Sequence, residues 1–164
     1  MSLIFSRFLV GAAMARPDFR GILHARNLID AAMRKLFAYG TLQLPEVMLA
    51  VTGRNFAAHP ARLDHYARHR LRGKSYPGLR PAPGASVDGL LYLDIDADAW
   101  QRLDDFEDDF YRREPVRVTA ADGAEWAAQT YVVREECQGL LLPGEWSLAE
   151  FKQARLPGFL LNHE

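Results

Sequence analysis

The chain has 164 residues, 49% of them hydrophobic and 25% charged, with a formal net charge of −1 and a single cysteine, Cys137. This is one domain's worth of chain, long enough to bury roughly 70% of the surface its unfolded form exposes, and its composition is that of a globular protein. The near-neutral balance gives no global pull toward nucleic acid or an anionic membrane, no apolar run reaches the ~20 residues of a membrane helix, and a lone cysteine allows no disulfide within the chain.

A reducing, cytoplasmic setting fits that cysteine usage. Arginine far outnumbers lysine and alanine is abundant, a usage that suggests a GC-rich bacterial genome.

Residues 1–33 read as an extension ahead of a domain spanning 34–164. Three readings of the extension stay open. The apolar stretch 8–15 behind Arg7 has the form of a short targeting segment. Phe19, Ile22, Leu23, Ile29 and Met33 fall near helical spacing. Met33 is itself a candidate start.

From residue 34 the signals sharpen. The stretch KLFAYGTL (35–42) predicts a strand feeding a turn at Gly40. Residues 44–53 predict a short helix, with Pro45 at its start and Gly53 at its stop. Residues 61–73 alternate weakly and predict a strand. YPGLRPAPG (76–84) predicts a rigid Pro/Gly loop, and VDGLLYLDI (87–95) a buried strand. Residues 96–110 predict an amphipathic helix capped by Asp96 or Asp98. Residues 111–120 and 125–135 flank ADG as the two arms of a hairpin. A last helix is expected over 147–156, with Ser147 and Glu150 at capping-box spacing. Short strands, few short helices and no βαβ rhythm predict an α+β fold: a small mixed β-barrel or curved sheet with peripheral helices.

The chemistry concentrates in LDDFEDDFYRR (103–113). With 100° per residue, Leu103, Phe106 and Phe110 share one stripe of the expected helix, edged by Trp100 and Tyr111. Asp104, Asp105, Asp108 and Asp109 fall on the solvated side, but Glu107 falls on the apolar stripe, where an unpaired carboxylate is costly. Two readings follow: a carboxylate paired with Arg112, Arg113 or a backbone donor, or a general acid/base whose pKa is raised by burial. At YGTL (39–42), Gly40 permits close approach, and consecutive backbone N–H groups there are suited to a carboxylate or oxyanion. His59, His65 and His69 have no cysteine or carboxylate to complete a ligand set, so no metal is expected. Arg62, Arg68, Arg70, Arg72 and Lys74, with Tyr66, read as a solvated strand face rather than a nucleic-acid stripe. Cys137 reads as a bystander.

In order and spacing, LFAYGTL, SYPGLRP, VDGLLYL, LDDFEDDFYRR and GEWSLAEFKQARLPGFL resemble the gamma-glutamylcyclotransferase-like family, in its avirulence-induced-gene branch. The resemblance covers residues 35 to 160. It implies a small mixed barrel with a pocket at one end, lined by Tyr39, Gly40, Thr41 and Leu42. Glu107 takes the family's acid position, Tyr111 and Arg113 its later Tyr and Arg, and Tyr76 and Pro77 its "YP" pair. The family's Gly after the acid is here Asp108, which sets a like charge beside Glu107. The implied reaction is cyclisation of a small γ-glutamyl substrate to 5-oxoproline with no metal or organic cofactor. The alternative is a non-catalytic ligand-binding or regulatory module on the same fold. Neither the leaving amine nor the oligomeric state follows from the resemblance.

Overall fold

The computed structural model describes residues 34–161; the readings of the extension lie outside the described residues. The described residues form six strands, β1 (Leu36–Ala38), β2 (Ala58–Leu71), β3 (Pro77–Tyr92), β4 (Tyr111–Ala120), β5 (Glu125–Val133) and β6 (Leu141–Leu142). They run in the order β3-β1-β5-β4-β2-β6, and β2 also pairs with β3, so five of them close into a mixed barrel with β6 on its margin. The pair β1–β5 is parallel and the others are antiparallel. Closure shortens the open edges that would otherwise template aggregation. Among the described residues no helix is long and apolar enough to cross a membrane.

The period of two along a strand sorts side chains into two cores. Phe37, Leu63, Leu79, Val87, Leu91, Val118 and Val132 fill the barrel interior. Leu36, Ala38, Tyr92, Tyr131 and Val133 point outward and are covered by Val47, Met48, Trp100, Leu103 and Phe151 from the helices. These helices are α1 (Pro45–Thr52), α2 (Ala97–Phe106), α3 (Leu148–Ala154) and α4 (Leu156–Leu161). Strand β1 therefore feeds both cores. It lies so close to β3 that a Cβ at Gly89 would come 2.3 Å from the Ala38 carbonyl oxygen; only glycine fits there.

Local chemistry sets the element ends. Asp96 caps α2 by accepting from the Ala99 N–H at 2.9 Å. Ser147 caps α3 by accepting from the Glu150 N–H at 3.3 Å. The hairpin closes at Ala120, whose carbonyl accepts from the Gly123 N–H at 2.9 Å.

Two expectations are corrected. The Pro/Gly segment 76–84 is not a loop: all but Tyr76 belongs to the 16-residue strand β3. β1 pairs only with its last residues, Leu90 to Tyr92, so the proline-bearing part meets β2 on one side and has no ladder on the other. Proline is tolerated at such an edge because no partner strand calls for its missing N–H. The strand expected to feed a turn at Gly40 is there: β1 stops at Ala38, and a 3-10 turn, Thr41–Gln43, follows. The helix expected through residue 110 ends at Phe106; Glu107 turns to φ −76°, ψ 140°, and Tyr111 opens β4. The chain also carries α4, which the sequence reading missed. Pro157 cannot continue α3, so the chain bends at Arg155 (φ −128°, ψ −25°) and starts a new helix.

Candidate active site

A cavity of about 280 Å³ opens at the barrel end where β1 leaves the sheet and β3 and β4 begin. That is near the lower bound of small-molecule pockets, roughly 300 Å³. Tyr39, Gly40, Thr41, Leu42, Tyr76, Pro77, Glu107 and Tyr111 all line it, together with Asp108, Phe106, Tyr131 and Phe159.

The turn after β1 forms one wall. A Cβ on Gly40 would come 2.9 Å from Pro77 Cγ, so glycine lets this turn pack against the start of β3. The turn's own hydrogen bonds run from the Gln43 N–H to Gly40 O (3.1 Å) and from the Leu44 N–H to Thr41 O (3.0 Å). A 3-10 turn leaves its leading N–H groups without acceptors inside the turn; here these belong to residues 40–42.

Glu107 stands at the end of α2. The helix fixes its position through Leu103, whose carbonyl accepts the Glu107 N–H at 3.2 Å. The 100° spacing gives the residue's inward direction, but Glu107 stands in the extended turn at the end of the helix rather than on the helical stripe itself. Neither Arg112 nor Arg113 pairs with it: Arg112 meets Glu114, and Arg113 Nη2 lies 3.4 Å from Asp104 Oδ2. Burial, followed by the nearby Asp108 and Asp104 charges, pushes the Glu107 carboxyl from 4.5 up to about 8. At neutral pH it is mostly protonated, and a modest change in surroundings moves it either way.

The acidic neighbours are less solvated than the wheel implied. Asp108 accepts from the Tyr76 hydroxyl, and its Oδ2 lies 3.2 Å from Lys74 Nζ. Asp104 accepts from the Tyr131 hydroxyl at 2.7 Å. The buried Tyr111 hydroxyl donates to the Pro77 carbonyl at 2.5 Å. Tyr39 abuts Tyr111, and burial holds both phenols well above their ordinary range, so they stay neutral donors. Arg113 stacks 4.4 Å from the Trp100 ring centroid, outside the lining. Tyr131 and Phe159 reach the pocket from β5 and α4, elements the sequence reading did not tie to the site. Among the described residues no group of three or more His, Cys, Asp or Glu is disposed to hold a metal.

A closed mixed barrel with a few peripheral helices defines a class of fold, and comparison with known proteins agrees. The chain belongs to the family described as gamma-glutamyl cyclotransferase, AIG2-like, whose model matches residues 36–148. It is 33% identical over 130 residues to AIG2-like protein D of Arabidopsis thaliana, covering 78% of this chain and 85% of that one. A solution structure from Arabidopsis thaliana superposes with a TM-score of 0.62 at 26% identity, over 80% of this chain and 88% of its own. A structure named gamma-glutamyl cyclotransferase shares the fold with a TM-score of 0.57 at 17% identity, again over 80% and 88%.

Proposed function

We propose that the protein cyclises a small γ-glutamyl amine or amino acid. The substrate's own α-amine attacks the γ-carbonyl, the new C–N bond closes a five-membered ring, and the bond to the leaving amine breaks. The products are 5-oxoproline and a free amine. Glu107 takes the proton from the substrate ammonium and returns it to the departing nitrogen. Backbone N–H groups of residues 40–42 hold the substrate carboxylate or the oxyanion that develops on the γ-carbonyl oxygen. Tyr39, Tyr76 and Tyr111, as neutral phenols, shape the pocket and hydrogen-bond the substrate, while Leu42 and Pro77 pack against its chain.

The energetics favour this division. Folding the substrate so that amine meets carbonyl supplies roughly 7–11 kcal/mol in favourable cases. One oxyanion donor is typically worth about 3 kcal/mol. General acid/base transfer contributes about 10²–10⁴-fold and works best with a pKa near the working pH.

The observation that carries the reading is the carboxyl of Glu107, raised to about 8 and facing a cavity whose far wall is the turn after β1. Incubation with a panel of γ-glutamyl compounds, followed by mass spectrometry for 5-oxoproline, tests it. Wild type is expected to form 5-oxoproline, and Glu107→Gln to lose about 10²–10⁴-fold in kcat while its unfolding stays cooperative. Near-wild-type turnover by a well-folded Gln variant would remove Glu107 from this role.

A further inference from the structure

The basic residues of β2 are not alike. Arg62 and Arg70 are exposed and pair with Asp88 and Glu150, and Lys74 beyond the strand pairs with Asp108. The Arg68 side chain is only 14% exposed. A bulge accounts for the difference. His65 sits at φ 64°, and the register against β3 shifts between Asp64 and Tyr66. Before the bulge Ala61 and Leu63 face the barrel core; after it Tyr66 packs on that core, and Arg68 stands opposite Leu79, itself a core residue. Across this irregularity β2 advances two residues while β3 runs back five, and the core-facing residues of β2 change from odd to even numbers, which turns Arg68 inward.

Arg68 is held on several sides. Its Nη1 donates to the Tyr39 carbonyl at 2.9 Å, and its Nη2 donates to Glu145 Oε1 at 2.8 Å. Its guanidinium carbon lies 5.6 Å from the centroid of the Trp146 ring. Its Nε is buried with no acceptor. An unsatisfied buried donor is a free-energy cost, and such a group calls for a reason.

The Tyr39 carbonyl supplies the reason. No peptide bond among the described residues is cis. The Tyr39 carbonyl and the Gly40 N–H therefore point opposite ways across one planar unit. Tyr39 and Gly40 line the pocket and Arg68 does not. Drawing the carbonyl toward Arg68 turns the Gly40 N–H to the other side, where the pocket lies, and no acceptor among the described residues takes that N–H. Glycine rotates about its backbone more freely than any other residue, so this peptide needs an external hold.

We propose that Arg68 is a positioning residue. It fixes the plane of the Tyr39–Gly40 peptide so that the Gly40 N–H faces the oxyanion that forms on the γ-carbonyl oxygen. The nature of that oxyanion rests on the cyclotransferase reading of the pocket; the hold on the peptide does not.

The test pairs kinetics with a readout independent of turnover. For Arg68→Met, kcat on γ-glutamyl-methylamide falls about 10–100-fold with KM within about threefold, because the lost donor acts in the transition state. Arg68→Lys, which keeps one donor, falls between. The acid limb of the pH–rate profile stays where it is, since Glu107 is untouched. In NMR spectra of the free protein, the Tyr39 carbonyl carbon and the Gly40 amide nitrogen shift in Arg68→Met and shift less in Arg68→Lys. Unmoved Tyr39 and Gly40 signals, or kcat within twofold of wild type, would overturn the proposal. If Arg68→Met fails to unfold cooperatively, the Lys variant is judged by the same two criteria. If wild type makes no 5-oxoproline while the signals respond, the cyclotransferase reading falls and the hold on the peptide stands.

Discussion

Inside the barrel, Phe37, Leu63, Leu79, Val118 and Val132 pack together as apolar side chains, whereas at the barrel's end Tyr39, Tyr76, Tyr111 and Tyr131 line the pocket with Glu107, and Asp108 and Asp104 lie near it. The same strands build both neighbourhoods: β1 sends Phe37 into the first and ends in the second. The interior stabilises by apolar burial, about 25 cal/mol per Å² removed from water. The end holds an unpaired carboxyl and an arginine with an orphaned N–H, both of which oppose folding. Stability is thus concentrated away from the pocket, which can keep groups that a sealed core would reject.

The contrast is broken most strongly through pH. Glu107 titrates near 8 in the folded protein against 4.5 unfolded. Between those values the folded state holds the extra proton, so stability falls as pH rises, by about 1.4 kcal/mol per unit and on the order of 5 kcal/mol in all. Glu107→Gln abolishes that slope; denaturant titrations at pH 5, 7 and 9 should show the variant gaining on wild type at each step. Truncating the interior comes next. Phe37→Ala is expected to cost about 3–5 kcal/mol at every pH, read as a lower denaturation midpoint with an unchanged slope against denaturant. Tyr111→Phe leaves the Pro77 carbonyl without its donor, for a loss of about 1–3 kcal/mol. The smallest effect sharpens the picture at the mouth. Asp108→Gly removes a negative charge that opposes ionisation of Glu107, so the acid limb of kcat/KM moves to lower pH, by less than about one unit.

Much of the barrel was legible because alternation and turn chemistry are local. The hairpin around Asp122 and Gly123, a cap at Asp96 or Asp98 and a buried strand within 87–95 needed nothing beyond neighbouring residues. The prolines of β3 misled because whether a strand edge is free depends on a partner far away in sequence. Glu107 does face the pocket, as its place on the apolar stripe suggested, but the helix behind that argument ends at Phe106, just before it, and no Gly or Pro marks the stop. Helix ends are set partly by tertiary contacts, so such a boundary is not written locally. Phe159, Tyr131 and the inward turn of Arg68 were invisible for the same reason: each depends on a bend, a bulge or a pairing between distant segments.

The close approach of β1 to Gly89 carries a consequence for how such a chain can diversify. Any side chain at that position would wedge against the Ala38 carbonyl, one step before the residues that form the pocket's donor wall. Drift at the rim, as at Asp108, can retune the site while leaving its frame in place. Drift at residue 89 would pry the frame apart from behind, so a position outside the pocket's lining constrains the pocket's shape.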